Sequence, residues 1–185
     1  MDLHIVGGFL GSGKTTAIIG AATLLADGIL TPPISVAAAI EASDLHERLH
    51  SALDAANAAI ADKVSDNPML SGMGSTLIGA AFSHEGIEWI SVGDSPLYLY
   101  RRGEVAVLNE DHSLAPLLDK LAAEGKMDPE EAKNDHRRHY LRSAVTGEEI
   151  ELIDASEKPL ALEAGDIVVL ASDGILTLED EHILK

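Results

Sequence analysis

At 185 residues the chain is long enough for one ordinary domain, and a content of 46% hydrophobic but only 3% aromatic residues implies a core of Ala, Leu, Ile and Val. A formal charge of −18, from 31 acidic against 13 basic residues, argues against nucleic acid or an anionic membrane surface as partner, and suits divalent cations, which take carboxylate ligands. The lack of cysteine excludes disulfides, thiolate zinc sites and cysteine nucleophiles.

The N-terminus carries Asp2 and no basic n-region, so it reads poorly as a signal peptide. No apolar run reaches about 18 residues, the span of a membrane helix. A cytoplasmic protein is the expectation.

In chain order, Leu3 to Val6 reads as a short buried strand entering a Gly-rich turn. Residues 14–26 have helical composition, closed by Asp27-Gly28. After the break at Thr31-Pro32-Pro33, residues 35–64 are spaced as a helix with Leu45, Leu49, Leu53 and Ala56 on one face, ended by Asp66-Asn67-Pro68. Strand pairs follow: 75–82 with 87–92 across His84-Glu85-Gly86, then 97–100 with 105–108 around Arg102-Gly103. Helices are expected at 114–124 and 129–134, the second capped by Asp128, and strands at 149–153 and 167–171. The order predicts an α+β protein with antiparallel sheets, not an alternating parallel α/β sheet.

Two phosphate-handling patterns stand out. Residues 8–15 read Gly-Phe-Leu-Gly-Ser-Gly-Lys-Thr, a P-loop pattern. In such a loop glycines let backbone N–H groups curl around phosphates at a helix N-terminus, the Lys neutralises charge, and the Thr holds Mg²⁺. Gly8, Gly11, Gly13, Lys14 and Thr15 are the candidates for binding ATP or GTP. Residues 1–26 resemble the opening of CobW-like metallochaperone GTPases, but no Asn-Lys-x-Asp for guanine follows, and the group's cysteine motif is impossible here.

From about residue 35 onward a second set of blocks appears in order: Gly72-Met73-Gly74-Ser75-Thr76-Leu77, Ser91-Val92-Gly93-Asp94-Ser95-Pro96, Asn109-Glu110-Asp111-His112-Ser113, residues 141–147, and Leu170-Ala171-Ser172-Asp173-Gly174. Together they resemble the PPM family of metal-dependent serine/threonine phosphatases. The resemblance implies an α/β/β/α sandwich, an Mg²⁺- or Mn²⁺-activated water attacking phosphorus, and a phosphoserine or phosphothreonine protein as substrate. It implies Asp173 and Asp94 as metal ligands, each with an alternative as an ordinary turn aspartate. Asp27-Gly28 reads either as the family's bridging Asp-Gly or as a helix C-cap.

The family's first acidic motif has no match, its place being taken by the P-loop segment, and no Asp-Asn follows Asp173; only Asp180 lies near. The expectation is a P-loop βα segment at 1–30 and an incomplete phosphatase core at 31–185, with impaired hydrolysis. A nucleotide-binding protein and a non-catalytic interaction module are the rival classes.

His46-Glu47-Arg48-Leu49-His50 matches the zinc-protease pattern H-E-x-x-H, but Arg48 occupies an interior position that is normally uncharged. It reads better as the exposed side of a helix. Asp111-His112-Ser113 reads as a loop capping the next helix, not as a catalytic array. His136, Arg137, Arg138, His139 and Arg142 form the one basic cluster, read first as a solvated loop and second as a contact for a phosphorylated partner.

Overall fold

The computed structural model describes residues 18–23 and 45–177. Helix α1, Leu45–Asp66, carries Glu47 in its first turn and Lys63 in its last, charges that complement the helix dipole. It stops where Asn67 turns extended and its side chain accepts the Met69 N–H, ahead of the 3₁₀ turn Pro68–Leu70. Leu49 and Leu53 on the expected face are buried, and Leu45 packs beside them.

Two antiparallel sheets follow. The first has the order β1-β2-β3-β6, from Ile18–Thr23, Thr76–Phe82, Ile87–Val92 and Asp154–Ala155. The second has the order β5-β4-β7, from Glu104–Val107, Leu97–Arg101 and Ile167–Leu170. Strand alternation splits the first sheet between two cores. Ala81, Ile90 and Val92 pack on α1 with Leu49, Leu53 and Ile60. Ile78, Ala80 and Ile87 face Leu97, Leu99, Val168 and Leu170 of the second sheet. The layers are therefore helix, sheet, sheet. Helices α2, Ala115–Ala123, and α3, Pro129–Asn134, pack on each other in the excursion between the sheets. Asp128 caps α3 as expected, accepting the N–H groups of Glu130 and Glu131 at 2.9 and 3.2 Å.

Two expectations need correction. Residues 18–23, inside the stretch expected to be helical, form β1 and pair with β2 from Ile18↔Ala81 to Thr23↔Thr76. The β-branched pair Ile18-Ile19 suits a strand, and the open edge of β2 supplies a complete ladder for the segment. The βα unit expected at residues 1–30 is thus a strand in its described part, and β1 joins the sheet of the residues beyond 30. Residues 149–153 are not a strand either. The backbone of Leu152 is satisfied by a side chain: its N–H donates to Ser143 Oγ at 3.1 Å and its carbonyl accepts from that hydroxyl at 2.9 Å. Pairing begins two residues later, where Asp154 and Ala155 lie against Ser91 and Ile90.

No helix among the described residues is long and apolar enough to cross a membrane.

Candidate functional site

The chain passes from the first sheet to the second through the loop 93–96, between β3 and β4. β4 pairs with β7 from Leu97↔Leu170 to Tyr100↔Ile167, and the Ala171 N–H still reaches the Pro96 carbonyl at 3.1 Å. Beyond this pairing Asp94 and Asp173 come near enough for the charge of one to act on the other. Asp94 lies in the loop between β3 and β4, Asp173 opens the 3₁₀ turn Asp173–Thr177 after β7, and both are half-buried.

Gly93 makes the crossing possible. Its φ of +103° is open to glycine, and a Cβ there would lie 2.4 Å from Thr76 Cγ2. The loop is then held on both flanks. Thr76 Oγ1 and Ser95 Oγ share a hydrogen bond of 2.7 Å. Asn109 accepts the Leu97 N–H at 2.7 Å and donates to the Ser95 carbonyl at 2.9 Å and to Ser91 Oγ at 3.2 Å. His112, 2% exposed, exchanges two bonds with Gly93: its N–H donates to the Gly93 carbonyl at 3.0 Å, and its Nδ1 accepts the Gly93 N–H at 3.2 Å. An accepting Nδ1 places the ring proton on Nε2. Burial holds the imidazole below its ordinary pKa, against the carboxylates of Asp154, Glu110 and Asp111.

Asp94 is the electrostatic centre of this region. Burial raises its pKa first, and the negative charge of Asp173 raises it further; Asp111 adds to this, while its own amide and His139 oppose it. Its Oδ1 is buried and has no hydrogen-bond partner. An unpartnered carboxylate oxygen beside a second carboxylate fits a hard cation, and Mg²⁺ in particular is often held by one or two carboxylates with water and substrate oxygens completing the shell. Among the described residues no group of three or more His, Asp or Glu side chains converges as a metal cluster.

The other expected site residues separate from this pair. Gly8, Gly11, Gly13, Lys14 and Thr15, and Asp27 with Gly28, lie outside the described residues. His46 and His50 of the H-E-x-x-H pattern lie with ring centroids 4.6 Å apart and planes tilted by 51°, and His46 Nδ1 lies 3.3 Å from the Ser156 carbonyl. Ser113 Oγ accepts the Ala115 N–H at 3.1 Å, but the N-cap of α2 is Leu114, which makes no side-chain cap bond. The basic cluster is engaged locally: Arg137 pairs with Asp135, Arg138 pairs with Asp119, and Arg142 Nε donates to the Ser113 carbonyl.

Sequence reasoning gave no role to Asn109, Thr76 or Ser95. Their residue types were visible, but the contacts between them span 14 to 19 residues and depend on how the two sheets meet.

No protein-family model matches the chain. It is 36% identical over 143 residues to the serine/threonine protein phosphatase PstP of Mycobacterium tuberculosis, covering 77% of this chain and 27% of that protein. It is 33% identical over 120 residues to the serine/threonine phosphatase stp of Listeria innocua, covering 63% of this chain and 46% of that protein. The chain thus spans less than half the length of these curated relatives. Among solved structures it resembles the Mycobacterium tuberculosis serine/threonine phosphatase PstP/Ppp, with a TM-score of 0.66, 26% identity and coverage of 96% of this chain and 80% of that one. It also resembles the catalytic domain of PstP in complex with two manganese ions, with a TM-score of 0.62, 28% identity and coverage of 94% and 74%.

Proposed function

We infer that this chain belongs to the PPM family of metal-dependent serine/threonine phosphatases, and propose that it hydrolyses phosphoserine or phosphothreonine in protein substrates. The fold, with its paired antiparallel sheets and helices, is the PPM phosphatase fold. The observation that carries the reading is the buried, unpartnered Asp94 Oδ1 beside Asp173 at the meeting of β4 and β7. Asp94 and Asp173 would hold an Mg²⁺ or Mn²⁺ ion, with Asp27 and the Gly28 carbonyl as candidates for a bridged partner ion. Such ions lower the pKa of a bound water and neutralise the phosphoryl oxygens. The protein's part is to hold two mutually repelling carboxylates near each other, so that cation binding relieves a repulsion the fold has already built.

A nucleotide site at Lys14 and Thr15 is the weaker reading. A P-loop presents phosphate to a helix N-terminus, and residues 18–23 run as an antiparallel strand.

The test is phosphate release from a phosphothreonine peptide with and without Mn²⁺. Release that needs Mn²⁺ and falls at least about tenfold in Asp173→Ala, a loss typical of disturbed metal sites, supports the proposal. Release that ignores both Mn²⁺ and Asp173→Ala contradicts it.

A further inference from the structure

The carboxylate Oδ1 of Asp94 takes no hydrogen bond, so its position depends on the backbone of the loop that carries it. That loop leaves one sheet and enters another, and neither sheet's ladder reaches all of its polar groups. The Leu97 N–H at the start of β4 and the Ser95 carbonyl before it are both satisfied by one side chain, Asn109. The same amide also donates to Ser91 Oγ, near the end of β3. Both amide hydrogens and the carbonyl oxygen of Asn109 are therefore in use, which fixes the orientation of the amide. A flip would set NH₂ against an N–H donor and oxygen against two oxygens. The neighbouring backbone follows suit, since the Leu108 N–H donates to the Leu97 carbonyl at 2.8 Å. Asn109 thus ties the end of β3, the loop and the start of β4 together, while His112 holds Gly93.

We propose that Asn109 is a positioning residue for the cation site: its side-chain amide bridges Ser91, Ser95 and Leu97 and thereby sets the Asp94 carboxylate against Asp173. The proposal rests on the reading of Asp94 and Asp173 as cation ligands. No other residue type fits the position well. Asp keeps the acceptor toward Leu97 but turns a carboxylate on the Ser95 carbonyl, Leu leaves three polar groups unpaired, and Ser is too short to span them. Groups that orient metal ligands without touching the metal typically contribute about 10–100-fold to its affinity.

Mn²⁺ binding to the full chain, followed by the electron paramagnetic resonance of free Mn²⁺, tests this without reference to turnover. Four variants are compared: Asn109→Ala, the milder Asn109→Ser in case the first fails to fold, Asp94→Asn, and Ser143→Ala. Ser143 is a buried polar residue whose hydroxyl also bridges backbone groups, but it holds Leu152 instead of the site loop. The expected result is that both Asn109 variants weaken Mn²⁺ binding by about tenfold or more, while Ser143→Ala binds as the wild type does even where its melting temperature falls. Wild-type affinity in a folded Asn109 variant overturns the proposal. So does a loss in Ser143→Ala equal to that in the Asn109 variants, because general loosening then explains both. If wild type and Asp94→Asn bind Mn²⁺ alike, the cation reading itself fails and the positioning role falls with it.

Discussion

Gly93 and His112 show how single residues fix the candidate site. Gly93 combines a φ of +103° with the 2.4 Å approach of Thr76 Cγ2 to a Cβ built there. Gly93→Ala must therefore move either the loop or β2, and its expected destabilisation is at least about 1–3 kcal/mol, read as a drop in melting temperature. His112 makes a pH prediction. Its folded pKa lies below the ordinary histidine value of 6.5, so the unfolded chain binds the proton more readily. This contribution to stability is fully present above the unfolded value and is lost as pH falls through it towards the lowered folded value. Protonation at Nδ1 also removes the acceptor for the Gly93 N–H. Melting temperatures from pH 8 down to pH 5 should fall more steeply for wild type than for His112→Asn, whose side-chain oxygen accepts a hydrogen bond but does not titrate. Parallel curves would show that His112 does not carry the effect. The residue types at these positions were legible in the sequence, and the blocks containing Asp94 and Asp173 were recognisable. The Asn109 bridge was not, because it joins groups brought together only when β3 and β4 part into separate sheets.

At the scale of elements, long helical spacing and clear turn residues were the readable signals. α1 ends at the Asn67-Pro68 stop, and the β4–β5 hairpin turns at Arg102-Gly103, both with positive φ. Segments whose composition suited more than one state were decided by their neighbours. Residues 18–23 have the Ala and Gly content of a helix start after a P-loop, yet β2 offers them an open edge. Residues 149–153 alternate in the manner of a strand, yet the Ser143 hydroxyl takes the backbone of Leu152. The β1 correction carries a prediction about nucleotide. With a strand where the phosphate-binding helix is required, ATP and GTP should bind weakly and without preference for base, and Lys14→Ala should change little. Submicromolar GTP binding by calorimetry, abolished in Lys14→Ala, would contradict this.

The whole molecule sets a strongly acidic chain around a pair of carboxylates that repel each other. At −18, any cation lowers the general self-repulsion, so specific binding must be separated from screening. The layered architecture shared with the phosphatase structures places β4 and β7 side by side, and the charge of Asp173 acts on Asp94. Removing one charge and adding a cation should then act as substitutes. Asp173→Asn should melt higher than wild type in metal-free buffer, because Asp94 loses its repelling neighbour. It should also gain less from metal.

The most direct measurement is the melting temperature of wild type and Asp173→Asn in millimolar Mn²⁺ or Mg²⁺, against Na⁺ at matched ionic strength. Ligand binding to the folded state stabilises by mass action, about 2.7 kcal/mol at a free concentration 100 times the dissociation constant. The account predicts a rise with the divalent ions that Na⁺ does not reproduce and that shrinks in Asp173→Asn. A shift fully reproduced by Na⁺, or one undiminished in Asp173→Asn, would contradict the claim that Asp94 and Asp173 form one cation site.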